Sequence, residues 1–245
     1  MNEQTAGPGA TDELTQRVAH VHERIARALE AAGREPASLR LLLATKTRDA
    51  HEIRAAIDAF TALGTPVVVG ENRAQEMAKH AALDDLAAAG LERHFIGRIQ
   101  TNKARDIVRF SDLIHSVDRP DLIDALERRA EADGITQRIL LQVNTSGEDS
   151  KGGFAPDPGL IAEQVARCRA TGVLVPEGLM TIGAHTTDAV RVHASLALLA
   201  SLREQVGDPT LTELSMGMSG DLEVAIAEGA TIVRLGSAVF GPRPQ

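Results

Sequence analysis

Tyrosine and tryptophan are absent from the 245 residues, and phenylalanine occurs only five times. No phenol from this sequence can therefore serve as acid, base or nucleophile. Cysteine occurs once, as Cys168, which excludes an internal disulfide framework and fits a reducing compartment. The run from Glu163 to Arg169 around it reads as a helix face, where a lone thiol packs as a small apolar group. Lysine is scarce: the 26 basic residues include only Lys46, Lys79, Lys103 and Lys151, with arginine filling the rest. Each surviving lysine therefore merits separate scrutiny. Positive charge is in deficit, with a formal net charge of −8, so no basic face stands ready to release counterions from nucleic acid. No stretch reaches the roughly 18 apolar residues of a membrane span, and residues 1–10 lack a basic, apolar leader. A cytoplasmic protein is expected, with neither membrane nor nucleic acid as partner.

What is present has a repeating order. A disordered tail is expected over residues 1–10 and one domain over residues 11–245. Leu14, Val18, Val21, Ile25 and Leu29 recur at helical spacing behind Thr11, a candidate N-cap. Gly33 and Pro36 end that helix. Short apolar runs then alternate with amphipathic segments. Strands are expected at Leu39–Ala44, Pro66–Val69, His94–Ile96, Leu113–Ser116, Arg138–Asn144, Pro176–Thr181, Thr212–Ser215 and Thr231–Leu235. Helices are expected at Asp49–Leu63, Asn72–Ala89, Gln100–Phe110, Arg119–Asp133, Pro158–Ala170, Thr187–Val206 and Ser219–Glu228. Asp157-Pro158 reads as an N-cap followed by proline at the first helical position, and Gly172 and Gly229 as helix-ending glycines. Eight strands alternating with helices predict an α/β fold, a single (β/α)8 TIM-type barrel with an extra N-terminal helix.

In that fold reactive residues sit at the carboxyl ends of strands. Lys46 follows the first strand. Desolvation there disfavours an ammonium, which suits an imine-forming amine; a plain ion pair with Glu71 is the competing reading. The Gly-rich runs Ser215–Asp221 and Arg234–Ser237 follow strands seven and eight, where barrels hold phosphate. Ser219 would open a helix, presenting unpaired N–H groups to an anion. Asp221 and Glu223 add opposing charge. An amine beside a phosphate site points to an aldehyde-bearing phosphorylated ligand, either pyridoxal 5′-phosphate (PLP) or a sugar phosphate in an aldolase. Lys103 and Lys151 lie in loops on the same side, as solvated charges or as a second accepting or docking point. His20 and His22 face different sides of a helix, which argues against a metal site.

Several stretches carry a family resemblance: Ala44-Thr45-Lys46-Thr47, Gly70-Glu71-Asn72-Arg73 with Gln75-Glu76, His94-Phe95-Ile96-Gly97 with Gln100, Asn102 and Lys103, and Ile114–Asp118. Gln142-Val143-Asn144, Lys151-Gly152-Gly153, Gly178-Leu179-Met180, Leu214–Glu223 and Val233–Gly236 complete the set. Together, over residues 39–243, they resemble the PLP homeostasis proteins (the YggS/PROSC family), which look like an alanine racemase N-terminal barrel standing alone. The resemblance implies that Lys46 carries PLP as a Schiff base. It implies that Ser219, Gly236 and Ser237 hold the phosphate and that Arg234 faces the pyridine nitrogen. Asn72 and His115 would line the ring's surroundings, and Met216 and Gly217 the loop wall. Two positions depart from the family pattern: Asp49 stands where a proline is common, and Arg98 where a histidine is frequent.

The same resemblance bears on catalysis. PLP is a strong electron sink when a carboxylate keeps its ring nitrogen protonated, whereas arginine does not share a proton usefully. The resembling racemases also use a tyrosine from an added C-terminal domain, and this sequence has none. A PLP carrier that stores and supplies the cofactor, with apo PLP-dependent enzymes as recipients, is therefore expected. A PLP-dependent racemase or lyase is the alternative, and a monomer or weak dimer the expected state.

Overall fold

The computed structural model describes residues 8–148 and 151–242, with side chains from residue 12 onward. Helix α1 (Pro8–Ala31) begins three residues before the expected cap. Thr11, the expected cap, lies inside the described helix. Residues 8–10, expected in a tail, are helical; the rest of that tail lies outside the described residues.

The eight strands are β1 (Arg40–Ala44), β2 (Val67–Glu71), β3 (Arg93–Phe95), β4 (Leu113–Val117), β5 (Gln137–Gln142), β6 (Leu174–Met180), β7 (Glu213–Ser215) and β8 (Ile232–Leu235). All pair in parallel and close in sequence order into a barrel, with Leu41 of β1 opposite Val233 of β8. Between them run α2 (Ala50–Ala62), α3 (Asp84–Ala88), α4 (Ala104–Phe110), α5 (Pro120–Asp133), α6 (Pro158–Ala170), α7 (Ala189–Val206) and α8 (Leu222–Ala227), and α9 (Ser237–Phe240) follows β8. Asp157 caps α6 by accepting the Leu160 N–H at 2.7 Å, and Gly172 and Gly229 take positive φ. Among the described residues no helix is long and apolar enough to cross a membrane.

Three expected helices change, the one expected over Gln100–Phe110 by opening with a 3-10 turn, Thr101–Lys103, ahead of α4. The segment after β2 winds as a 3-10 helix over Ala74–Leu83 before the short α3. At three residues per turn Glu76 and Lys79 share an edge, and both reach the turn behind β1. The helix expected from Ser219 shrinks to α8, with Asp221 as its N-cap residue.

Strand alternation sets three regions. Leu41, Leu43, Ile139 and Leu141 face outward into one core shared with the helices and with Val18 and Val21 of α1. Leu42, Val68, Leu113, Leu140, Met180 and Ile232 fill the barrel interior. At the amino ends of the strands the interior is closed by charge. Arg40 pairs with Glu92 at 3.4 Å and Glu213 at 2.9 Å, and Arg138 with Glu92 at 3.2 Å and Glu177 at 2.7 Å.

Candidate functional site

Lys46 lies two residues beyond β1 and is half-buried. Among the described residues nothing hydrogen-bonds or ion-pairs with its ammonium. Glu71, the carboxylate that might have paired with it, is engaged elsewhere. One of its oxygens accepts from Thr45 Oγ1 at 2.6 Å and His80 Nε2 at 2.8 Å, and pairs with Lys79 Nζ at 2.9 Å. Burial alone would push the Glu71 carboxyl up; the bonds from His80, Thr45 and Lys79 together hold it below its usual range.

The turn carrying Lys46 is constrained from three sides. Thr47 is the only described non-glycine residue at positive φ, +65°, a rare conformation for a β-branched side chain. Its N–H donates to Glu76 Oε2 at 2.6 Å. Lys79 Nζ donates to the Thr45 carbonyl at 2.7 Å and to Glu76 at 3.2 Å. Arg48, buried, donates to the Gly241 and Pro242 carbonyls at 3.0 and 2.8 Å and lies over the Phe240 ring.

The loops after β7 and β8 meet beside this turn. Gly217 has φ +92°, and a Cβ there would come within 2.4 Å of the Ala225 Cβ, so only glycine fits. Ser219 does not open α8. Asp221 accepts the Met218 N–H at 2.5 Å instead, leaving the Ser219 hydroxyl to accept the Ala238 N–H at 3.3 Å. Ser219 is thereby held against the first turn of α9, whose leading N–H groups lack intrahelical partners. Gly236 sits beside Ala44, its absent Cβ 3.4 Å from the Ala44 carbonyl oxygen; Ser237 is exposed. Glu223 does not oppose an anion here, because Arg24 of α1 holds it through bonds of 2.8 and 2.9 Å. Arg24 also donates to the Ser219 carbonyl at 3.3 Å.

Arg234 projects into the barrel from β8 and is almost fully buried, which pushes its guanidinium down to about 10. It donates to Ser215 Oγ at 2.7 Å and to the Thr181 carbonyl at 2.8 Å. The chain continues from Ser215 to His115 Nδ1 at 2.8 Å, from His115 Nε2 to His94 Nδ1 at 3.0 Å, and from His94 Nε2 to Glu92 at 2.8 Å. Donor and acceptor roles follow from the ends. Glu92, held down to about 2 first by the His94 bond, can only accept, so His94 donates through Nε2. His94 Nδ1 then accepts from His115 Nε2–H, and His115 Nδ1 accepts from the Ser215 hydroxyl. Burial pushes both imidazoles down, His115 well down, in keeping with two neutral rings.

The structure thus brings Lys46, Gly217, Ser219, Arg234, Gly236 and Ser237 to one end of the barrel. Two expected site residues stand elsewhere. His115 is fully buried behind Ser215, to which it bonds, and Ser215 in turn accepts from Arg234. Met216 is fully buried in the outer core rather than in a loop wall, because it lies one position past the inward-facing Ser215. Asn72 follows β2, where its backbone abuts Gly97; a Cβ at Gly97 would stand 1.9 Å from the Asn72 carbonyl oxygen. Lys151 is tied to Glu148 and to the Gly183 carbonyl, both at 2.9 Å. Sequence reasoning singled out Glu76, Lys79, His94 and Ser215 but gave them no role, and it missed Thr181 and Glu92. A histidine inside each of two neighbouring short strands, Arg-His-Phe in β3 and Leu-Ile-His-Ser-Val in β4, was the available signal for the histidines.

Residues 16–244 match the family described as alanine racemase, N-terminal domain. The chain is 42% identical to the pyridoxal phosphate homeostasis protein of Aquifex aeolicus, over 93% of this chain and 97% of that one. A protein of unknown function from Bifidobacterium adolescentis superposes with a TM-score of 0.87 at 42% identity, covering 97% and 98% of the two chains. PipY of Synechococcus elongatus, solved with PLP bound, superposes with a TM-score of 0.73 at 34% identity, over 93% and 100%.

Proposed function

The chain belongs to the alanine racemase N-terminal domain family, and from that premise we propose that it binds PLP through Lys46 and serves PLP homeostasis. The observation that carries this reading is an amine with no bonded partner among the described residues, at the same barrel end as the Ser219 cradle and the buried Arg234 guanidinium. The donor set fits the cofactor group by group. Lys46 would hold the cofactor through its aldehyde. Ser219, Ser237 and the first amides of α9 would hold the phosphate, while Gly217 lets its loop pack against Ala225 and Gly236 lets its loop pass close to Ala44. When bound, PLP supplies an aldehyde and an electron-withdrawing ring.

Arg234 is the group we assign to the ring nitrogen. Two of its donors are committed to Ser215 and Thr181, which fixes the plane of the guanidinium. At about 10 it remains a cation at neutral pH and offers the nitrogen a donor without yielding a proton. This chain holds no tyrosine to act as an opposing base. Storage and supply of the cofactor, with apo PLP-dependent enzymes as recipients, therefore fits better than amino-acid turnover.

The test is borohydride reduction of the PLP-incubated protein followed by peptide mass mapping. A pyridoxyl adduct on Lys46, absent from Lys46→Ala, is expected; an adduct confined to Lys103 or Lys151 would sink the assignment. Reproducible turnover of an amino-acid panel that depends on Lys46 would favour a racemase or lyase instead.

A further inference from the structure

A second polar cavity, of about 410 Å³, opens outside the Ser219 cradle, between the end of β2 and the loop after β3. Asn72, Arg73, Gln75, Arg98, Gln100 and Lys103 line it, along with the buried side chains of Phe95 and Ile107. None of those six polar side chains bonds to another described residue. Glu76, the one carboxylate on the wall, already serves the Thr47 N–H and Lys79 through Oε2. Three cations, the exposed Arg73 and Arg98 and the half-buried Lys103, thus share a concave space with a single carboxylate that is bonded to Lys79, in a chain with 34 acidic and 26 basic residues.

We propose that this cavity is a binding site for a small phosphorylated molecule, separate from the cradle near Lys46. Two guanidinium forks and an ammonium match phosphate oxygens, and three side-chain amides supply further donors and acceptors. The volume lies within the roughly 300–1,000 Å³ of small-ligand pockets. The apolar contribution of Phe95 and Ile107 suits the organic part of an ester better than a bare ion. The inference stands independently of PLP binding at Lys46.

Calorimetric titration with pyrophosphate at constant ionic strength tests it, on wild type, Arg98→Gln/Lys103→Gln and Ser219→Asp. Arg98 and Lys103 have no bonded side-chain partner among the described residues, so the double variant is expected to fold, as its circular dichroism will show. The expected result is a binding component about tenfold or more weaker in the double variant and retained in Ser219→Asp, whose carboxylate blocks the cradle. The proposal is overturned by absence of binding to wild type, by a component indifferent to the double substitution, or by one lost in Ser219→Asp.

Discussion

Thr47 holds a left-handed backbone beside the amine that matters most, and such a conformation costs about 1–3 kcal/mol. Glycine accepts it freely. Thr47→Gly is therefore expected to raise the thermal midpoint by roughly 2–4 °C, while weakening PLP retention as the turn gains alternatives. A scan paired with cofactor dialysis reads both effects, and a lowered midpoint would show that the strain is not real. His115 makes a different prediction. Its folded-state pKa lies below the unfolded value of about 6.5. The unfolded chain thus binds the extra proton first, and stability falls as pH drops below about 6.5, by at most about 1.4 kcal/mol per pH unit for one such group. Glu92 adds its own loss between the ordinary carboxyl range and about 2. Urea midpoints at pH 8, 6 and 5 should decline in wild type and less steeply in His115→Gln, which keeps the loss due to His94; parallel declines would remove His115 from the account.

At the scale of elements, α1 is more than an appendage on the barrel wall. Its Arg24 grips both Glu223 and the Ser219 carbonyl, and Arg17 donates to the Val239 carbonyl at 2.9 Å. Beyond its end, Arg34 reaches the Ile226 and Ala230 carbonyls, both at 2.8 Å. The helix thereby fixes the two loops that form the cradle. Because the Arg24–Glu223 pair is partly exposed, Arg24→Ala should cost under about 1 kcal/mol of stability. It should still weaken PLP binding several-fold, since Glu223 is then released beside the phosphate. Equilibrium dialysis alongside thermal melts separates the two quantities, and equal affinity in both proteins would refute the clamp. Elements also show what the sequence made legible. Strands buried on both faces read as unbroken apolar runs, so Leu41-Leu42-Leu43 and Val67-Val68-Val69 marked themselves. Apolar spacing does not separate three residues per turn from 3.6, which hid the 3-10 winding of Ala74–Leu83. Ser219 looked like a cap because nothing local reveals that Asp221 claims the Met218 N–H. Lys46, Ser219 and Arg234 stood out by residue type and strand position. The chain behind Arg234 did not, because His115 and Ser215 lie 100 positions apart and meet only on barrel closure.

Over the whole molecule, one polar line crosses the barrel from Arg234 near its carboxyl end to Glu92 in the charged layer at its amino end. Glu92 also joins Arg40 to Arg138. Glu92→Gln leaves two arginines short of a counter-ion, and a cost of about 1–3 kcal/mol is expected, less than a fully buried pair would give because Glu92 is one-third exposed. Denaturant titration checks this, and an unchanged midpoint would mean that the layer contributes nothing to stability.

That charged layer has a consequence for traffic. A barrel stoppered at one end has a single door. Whatever reaches Lys46 must leave by the route it entered, so no acceptor can draw cofactor out from behind. If the proposed supply to another protein occurs, it takes one of two forms, passage across two apposed mouths or escape into water followed by capture. The first accelerates as acceptor is added; the second levels off at the rate of escape.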